Sequence, residues 1–288
     1  MKLGTNVPFD ELAQINGVYN LDKALGCLAS AGIRGCMINF AADESRWEIF
    51  TRDLDRACRA TGVELLEYVA PFQIQVLSRE QCEPGARQIV RLLELAESIG
   101  CREVCAGVGG PNSIYPHPWN RSQACHDLLK ETCEIIAGES ARRNLKARLV
   151  LEPIYTTILW SPIVLARFVD EIRSPNIQGH MDIANCLTFD NIYDHAEFIR
   201  DAFTVLGDRI HSAHIKDIAP TRNYYPGLTE CLVGDGVMDN RTYLECLSRM
   251  SPGFPAIIEH MSAMADVARS YQRIKAMAEG MNISAWCE

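Results

Sequence analysis

The sequence lacks the features of disulfide-rich, metal-knuckle and membrane proteins. It has no Cys-x-x-Cys pair, and its twelve cysteines are scattered. We therefore expect reduced, buried cysteines rather than a disulfide framework or a structural zinc site. No stretch approaches the roughly 20 apolar residues of a membrane span, and residues 1–5 do not begin an apolar signal segment. These absences predict a cytoplasmic protein with no membrane partner.

An excess of positive charge is also missing. The chain has 28 basic and 37 acidic residues, which gives a net charge of −9. Folded nucleic-acid binders usually carry a basic surface, because phosphate neutralisation supplies much of their affinity. The charge balance therefore disfavours nucleic acid as a partner. The remaining composition, 48% hydrophobic and 23% charged, is that of a globular protein.

What the sequence does contain is an alternation of strand-like and helix-like segments. Eight near-continuously apolar segments, typical of parallel strands covered on both faces, span residues 2–8, 33–40, 63–70, 103–109, 148–154, 177–184, 209–216 and 255–260. Helical patterns follow them at residues 21–30, 45–60, 79–99, 121–143, 162–172, 196–206, 241–248 and 262–278. Eight such repeats predict an α/β fold, a single (β/α)₈ TIM barrel, with residues 1–288 forming one domain.

The main alternative fold is an open, doubly wound sheet. That fold normally carries a glycine-rich turn after its first strand, and Val7-Pro8-Phe9-Asp10 is not such a turn. Two predicted strand-to-helix connections are long, at residues 110–120 and 218–240, and both contain aromatic residues. They form a substrate lid, packed surface loops or a contact with another subunit. We expect Gly234-Asp235-Gly236 to form a turn that supports the site.

Polar residues stand at the carboxyl ends of four consecutive predicted strands. Glu152, Asp182, His214 and Glu259 end the fifth to eighth strands in that order. Because these strand ends converge in a barrel, three carboxylates and one imidazole would meet there. This set suits one divalent ion, with Mn²⁺ favoured and Mg²⁺, Co²⁺ or Zn²⁺ compatible. Each residue alone is more simply a salt bridge or a hydrogen-bonded core side chain, so the prediction depends on all four together.

Four segments resemble motifs of the xylose isomerase-like barrel superfamily: Leu151-Glu152-Pro153, the strand that ends at Asp182, His214-Ile215-Lys216-Asp217 and Ile258-Glu259-His260. The resemblance is to the sugar epimerases and isomerases typified by D-tagatose 3-epimerase and to the isomerases and dehydratases of inositol catabolism. It implies that the four strand-end residues bind the metal. It also implies that Glu152 and Glu259 are the catalytic acid–base pair. The implied enzyme is a metal-dependent epimerase or isomerase of carbohydrate metabolism.

The chemistry of that pair is consistent with the implied reaction. A metal that holds a carbonyl and an adjacent hydroxyl acidifies the C–H bond between them and stabilises an enediolate. One glutamate removes the proton, and the other returns it on the far face of a keto-sugar or related polyol. Return to the same carbon gives epimerisation, and return to the neighbouring carbon gives isomerisation.

Four more residues are candidates for binding the substrate. Where the related epimerases carry histidine three residues after the aspartate, this chain has Asn185, which cannot titrate near neutrality. His180 and Lys216 share strand parity with the proposed ligands, and Glu67 ends the third predicted strand. Structural alternatives are a hydrogen-bonded His180 and a salt-bridged Lys216. The Asn185 departure leaves the substrate and the reaction open.

Several other functions remain open at this stage. The same enediolate can expel water or CO₂, which would make the chain a lyase on a keto-sugar or inositol derivative. The superfamily also includes multi-metal abasic-site endonucleases, but these need histidine ligands on earlier strands. A barrel that binds sugar without turnover is a further alternative. In each sugar reading the partner is a small molecule, and a homo-oligomer is compatible with the fold.

Overall fold

The computed structural model describes residues 1–8, 19–224 and 227–284. Within these ranges, eight strands belong to one sheet: β1 (Lys2–Asn6), β2 (Gly35–Asn39), β3 (Glu64–Val69), β5 (Glu103–Ala106), β7 (Arg148–Leu151), β8 (Ile177–Asp182), β9 (Ile210–Ile215) and β12 (Pro255–Ile258). Four short strands lie in the connections: β4 (Ile74–Gln75), β6 (Val108–Gly109), β10 (Asp217–Pro220) and β11 (Leu228–Cys231).

The eight longer strands close into a parallel barrel. Their order around the barrel is β1-β2-β3-β5-β7-β8-β9-β12, and β12 pairs with β1 to complete the ring. Eight helices lie between successive barrel strands or after the last one: α1 (Leu21–Ser30), α2 (Trp47–Thr61), α3 (Cys82–Ser98), α4 (Gln123–Arg142), α5 (Pro162–Ile172), α6 (His195–Leu206), α7 (Asn240–Ser248) and α8 (Met264–Gly280). The predicted (β/α)₈ TIM barrel is therefore confirmed.

Local sequence signals define several helix ends. Ser161 accepts a hydrogen bond from the Val164 backbone N–H at the start of α5, and Pro162 occupies the first turn, where its missing N–H costs little. Ser122 caps α4 in the same way. The α2 helix ends at Gly62, whose φ of 67° is left-handed. These signals set where α4 and α5 begin and where α2 ends.

The apolar core lies mainly between the strands and the surrounding helices. Inside the barrel, a small cluster of Met37, Leu66 and Ile257 is buried separately. Other inward side chains near the carboxyl end are polar, and these include the fully buried Glu67 and His180. A polar interior is costly unless its groups have partners, so this end of the barrel is where chemistry is expected.

Some details differ from the sequence-based expectations. The connection at residues 218–240 contains the antiparallel pair β10 and β11, which the sequence analysis did not predict, and residues 225–226 lie outside the described part. No disulfide joins the cysteines of the described ranges; Cys287 lies outside them. Among the described helices, none combines the length and apolar character needed to cross a membrane.

Candidate metal centre

Four acidic and imidazole side chains converge at the carboxyl ends of adjacent strands. Glu152 directly follows β7, Asp182 ends β8, His214 lies near the end of β9, and Glu259 directly follows β12. These four strands are neighbours in the barrel. One ligand atom from each residue lies within 4.8 Å of the others. The fold thus brings together the four residues that the sequence predicts as ligands.

The His214 ring is at the centre of this group. Its Nδ1 atom lies 2.9 Å from Glu259 Oε1, 3.4 Å from Glu152 Oε1 and 3.9 Å from Asp182 Oδ2. His214 and Asp182 are 2% and 0% exposed, so solvent cannot satisfy them. The three carboxylates and the imidazole nitrogen therefore face one small, nearly dry volume.

Three atoms in this volume have no hydrogen-bond partner within the described residues: Asp182 Oδ2, His214 Nδ1 and Glu259 Oε1. A buried polar atom without a partner costs about 1–3 kcal/mol, and several converging on one point are unusual. Oxygen and imidazole donors in this arrangement suit a divalent cation. The donor set, with three atoms that lack a hydrogen bond, therefore fits the metal that the sequence predicts.

Lys216 lies in the same cluster and is 4% exposed. Its Nζ forms ion pairs with Glu259 and, at 2.7 Å, with Asp182 Oδ2. Lys216 is therefore the ionic partner of Asp182 Oδ2 in this cluster. Burial lowers the pKa of Lys216, but Asp182 and Glu259 raise it well above its usual value. The side chain is therefore an ammonium that neutralises part of the carboxylate charge.

The carboxylates respond differently to this environment. Burial favours a neutral Glu152, but His214 and Lys216 lower its pKa to about 2. Burial likewise opposes ionisation of Glu259, and the His214 ring and the Lys216 ammonium hold its pKa well below the usual range. Burial raises the pKa of Asp182, in spite of Lys216. The two glutamates are thus held as carboxylates, the form that binds a metal or accepts a proton.

Asn185 is part of the same cluster. Its backbone N–H donates to Asp182 Oδ1 at 3.0 Å, and its side-chain Nδ2 donates to Glu152 Oε1 at 2.9 Å. Lys216 Nζ donates to its Oδ1 at 3.4 Å. Asn185 therefore bridges Glu152 and Lys216, and it reaches the cluster from the short helical turn that follows β8.

Glu67 and His180 lie deeper than the sequence analysis expected. Both are 0% exposed. Glu67 Oε1 lies 2.8 Å from His214 Nε2, and the His180 and His214 ring centroids are 3.9 Å apart. Their contacts are with the far side of the His214 ring, away from the carboxylate cluster. This placement changes the role that we assign to Glu67, from substrate contact to support of His214.

Two residues that the sequence analysis did not assign to the site also contribute. Ser212 is fully buried and donates to Glu67 Oε2. The alternation of side chains along a strand could have identified Ser212 from the sequence, because it lies two residues before His214 and therefore on the same face. Asp217 is 0% exposed and accepts hydrogen bonds from the backbone N–H groups of Gly234, Gly236 and Met238. The predicted turn therefore packs onto the residue that directly follows Lys216.

Exposed aromatic side chains surround the carboxyl end of the barrel. They lie in the connections that follow the barrel strands: Tyr115, Tyr155, Trp160, Phe189, Tyr193 and Tyr224. The Arg121 guanidinium lies 4.8 Å from the Trp160 ring centroid. A separate cavity of about 240 Å³, lined by Phe72, Gln75 and other residues of β4 and α3, contains none of the clustered carboxylates. Side-chain chemistry rather than cavity size identifies the candidate centre.

Comparison with known proteins gives a family match over most of the chain. The sequence model described as "Xylose isomerase-like TIM barrel" matches residues 26–283. A search of curated proteins found no match.

Solved structures share the fold over nearly the whole length. A D-tagatose 3-epimerase-like protein is 17% identical, with a TM-score of 0.73 over 98% of both chains. A xylose isomerase-like TIM barrel protein from Mycobacterium smegmatis, in complex with magnesium, is 15% identical, with a TM-score of 0.71 over 97% of both. D-allulose 3-epimerase from Methylomonas sp., in complex with D-allulose, is 15% identical, with a TM-score of 0.69 over 96% of this chain and 97% of its own. Identities this low show a shared fold alone.

Proposed function

Because the chain belongs to the xylose isomerase-like TIM barrel family, we propose that it is a divalent-metal-dependent epimerase or isomerase of a keto-sugar or related polyol. The observation that carries the proposal is the convergence of ligand atoms from Glu152, Asp182, His214 and Glu259 within 4.8 Å. Structures of the same fold in complex with magnesium and with D-allulose support a metal and a sugar as ligands.

We propose that these four residues hold one divalent ion, with Mn²⁺ favoured and Mg²⁺, Co²⁺ or Zn²⁺ also suited to the donor set. When bound, the ion would polarise a substrate carbonyl and an adjacent hydroxyl and so acidify the C–H bond between them. The buried site supports this role, because electrostatic interactions are stronger where water is excluded.

Glu152 and Glu259 are the proposed acid–base pair. His214 and Lys216 hold both as carboxylates, and one carboxylate can remove the acidified proton to leave an enediolate. For epimerisation, the other glutamate takes a proton from solvent and delivers it to the opposite face of that carbon, and the first glutamate then releases its proton to solvent. For isomerisation, the first glutamate delivers the proton that it removed to the adjacent carbon. The first outcome is epimerisation and the second is aldose–ketose isomerisation.

Lys216 and Asn185 would act on the substrate oxygens and on Glu152. The amide N–H of Asn185 donates to Glu152 Oε1 and so orients the proposed base. The Lys216 ammonium lies between Asp182 and Glu259, where it can stabilise negative charge on a substrate oxygen.

Lys216 also favours a second candidate function, because it lies next to an asparagine at the position where the resemblance to the epimerases implies a histidine. That candidate is a lyase, in which the Lys216 ammonium donates a proton to the hydroxyl on the carbon next to the enediolate, so that this hydroxyl leaves as water.

Hydrogen exchange tests the proposed function directly. Mn²⁺-loaded protein is incubated in D₂O with a panel of ketoses, aldoses, inososes and keto-acid sugars, and the substrates are separated from protein and metal before proton NMR. We expect deuterium to enter at the carbon beside a carbonyl. The labelled position separates epimerase from isomerase, and loss of water or CO₂ identifies a lyase.

Glu152→Gln and Glu259→Gln are the test variants, and Glu134→Gln, which alters an exposed glutamate on α4, is the matched control. We expect each test variant to lose at least about 100-fold of the exchange rate, since a general base contributes roughly 10²–10⁴-fold. Exchange that persists in both test variants would contradict the assigned pair. No exchange of any substrate by metal-loaded protein would contradict the sugar reaction itself.

A further inference from the structure

A buried hydrogen-bond network lies beneath the His214 ring. Glu67 comes from β3, which is four strands away from β9 in the closed order, so it reaches His214 from the opposite side of the barrel. Glu67 Oε1 lies 2.8 Å from His214 Nε2, and Ser212 donates to Glu67 Oε2. His180 Nδ1 lies 2.8 Å from Ser212 Oγ. All four residues are at most 2% exposed.

The direction of each hydrogen bond follows from the groups involved. A carboxylate only accepts, so the proton between Glu67 and His214 belongs to Nε2 of the ring. The single hydroxyl proton of Ser212 points to Glu67, so Ser212 accepts from His180 Nδ1. Every donor in the network is therefore directed, in one or two steps, at Glu67. Both Glu67 oxygens are occupied, and its side chain is fixed from two sides.

This network leaves the other nitrogen of His214 free to bind. With the proton on Nε2, the lone pair of a neutral ring is on Nδ1, which faces Glu152, Asp182 and Glu259. Histidine ligands of metals commonly donate their second N–H to a carboxylate, which fixes the ring orientation and raises its basicity. The geometry beneath His214 has this form.

We propose that Glu67 is a positioning residue that sets the tautomer and orientation of His214 for metal binding through Nδ1, with Ser212 and His180 holding Glu67 in place. The inference rests on the metal-dependent function proposed above. It gives Glu67 no contact with the substrate. It also predicts that the residue controls metal affinity from the interior of the barrel.

A different use of these side chains is an inner metal ion. Glu67, His180 and His214, together with Cys105, offer ligand atoms within 4.8 Å of one another. The hydrogen bonds favour the positioning role, because Ser212 already occupies Glu67 Oε2 and His180 Nδ1, and His214 occupies Glu67 Oε1. The inner ion is therefore an outcome that the experiment must be able to detect.

The test measures Zn²⁺ affinity and stoichiometry by chelator competition on the full-length protein. The variants are Glu67→Ala, Glu67→Gln and Cys105→Ala. Glu103→Gln is the matched control, since Glu103 is a largely buried carboxylate on neighbouring β5 whose ion-pair partner is Arg148 rather than His214. Thermal unfolding of each metal-free variant shows whether it is folded.

We expect Glu67→Ala to bind Zn²⁺ about 10–100-fold more weakly than the parent protein. Glu67→Gln should lose about tenfold, because its amide oxygen can still accept from His214 but the charge is gone. Glu103→Gln and Cys105→Ala should bind one equivalent with unchanged affinity. ¹⁵N NMR of histidine-labelled, Zn²⁺-loaded protein should show the His214 proton on Nε2 and the metal on Nδ1, a result that a purely structural Glu67 would not require.

The outcomes separate this inference from the proposed function. Equal Zn²⁺ affinity of folded Glu67→Gln and the parent, or a metal on Nε2 of His214, would overturn the positioning role and leave the proposed function standing. A second equivalent of Zn²⁺ that disappears in Cys105→Ala would replace it with the inner ion. A parent protein that binds no Zn²⁺, Mn²⁺ or Mg²⁺ would overturn both proposals together.

Discussion

Asn185 stands three residues after Asp182, where the resemblance to the sugar epimerases implies a histidine, and its side chain contacts both Glu152 and Lys216. An amide does not titrate near neutrality, so Asn185 can orient Glu152 but cannot act as an acid or base beside it. Glu152 therefore has a hydrogen-bond partner that orients it, but position 185 provides no second titrating group. This difference is a reason to expect a substrate other than those of the named relatives.

We predict that Asn185→Ala lowers the rate of substrate C–H exchange by about 10–100-fold. A hydrogen bond to a charged group contributes roughly 1.5–3 kcal/mol, and each 1.36 kcal/mol corresponds to a factor of ten in rate. Deuterium incorporation measures the effect. Asn112→Ala, at an exposed asparagine in the connection after β6, is the control and should exchange at the parental rate. A fully active Asn185→Ala variant would show that Glu152 needs no orienting partner.

At this scale the sequence predicts which face a residue occupies better than how deep it lies. Parity along a strand places His180 and Asp182 on the same inner face, and both are indeed buried there. However, two residues along a strand are about 6.6 Å apart. That distance places His180 beneath His214 rather than beside the carboxylates. Glu67 lies deep for the same reason. Its partner Ser212 is uncharged, so only the alternation along the strand, and not its residue type, marks it in the sequence as a residue of the site.

At the scale of structural elements, the connection between β9 and α7 is fixed by hydrogen bonds to one buried side chain, Asp217. Asp217 accepts from the backbone of three residues in the turn and also from Ile218 N at 2.9 Å. A Cβ on Gly236 would lie 2.2 Å from Asp217 Oδ1 and 2.3 Å from Ile218 O. Only glycine lets the turn approach Asp217 so closely, and Asp217 in turn directly follows Lys216.

We predict that Gly236→Ala destabilises the protein by about 1–3 kcal/mol, the usual cost of forcing atoms into a packed site. Urea unfolding measures the free energy, and limited proteolysis should show earlier cleavage within residues 218–240. Gly26→Ala is the matched control, because nothing lies within 4 Å of its Cβ position in α1, and alanine favours a helix by about 1 kcal/mol. An equal effect of both substitutions would mean that the close approach does not matter.

The elements themselves were predicted well where their pattern was long. All eight barrel strands and eight helices follow from apolar periodicity, and the resemblance to the xylose isomerase-like family is confirmed. The β10–β11 pair was missed because strands of four residues in a connection carry too few positions to show a period. Element ends were also less exact: the fifth predicted strand extends to residue 154, whereas β7 ends at Leu151.

For the whole molecule, the amino-terminal end of the barrel contains a buried group that couples stability to pH. Glu103 begins β5 next to Arg148, which begins β7. Burial raises the pKa of Glu103 to about 7 from its usual value of 4.5, although Arg148 opposes this. The folded protein therefore binds a proton more tightly than the unfolded chain does. Between about pH 4.5 and pH 7 the free energy of unfolding should fall as pH rises, and above that range this contribution should be constant.

We predict that Glu103→Gln removes this contribution to the pH dependence, since glutamine does not titrate. The shift corresponds to an upper bound of roughly 3 kcal/mol between the two ends of the window. Urea unfolding from pH 4.5 to pH 8 measures it. The variant should gain stability relative to the parent as pH rises, and a constant difference across the range would show that Glu103 is ionised in the folded protein.

Metal binding should also stabilise the whole barrel, because the proposed ligands tie together four neighbouring strands. A ligand that binds only the folded state adds about 2.7 kcal/mol to the free energy of unfolding at 100 times its dissociation constant. We therefore expect the unfolding temperature to rise with Mn²⁺ or Zn²⁺ concentration and to return after chelation. Asp182→Asn should abolish the rise, whereas Asp170→Asn, at an exposed aspartate paired with Arg209, should preserve it.

Because Asp182 is fully buried, the Asp182→Asn variant also separates the stability that metal binding adds from the stability that the buried carboxylates remove. If Asp182→Asn is more stable than the metal-free parent but insensitive to metal, the clustered carboxylates destabilise the barrel until a cation neutralises them. If the two proteins respond to metal alike, Asp182 is not a ligand.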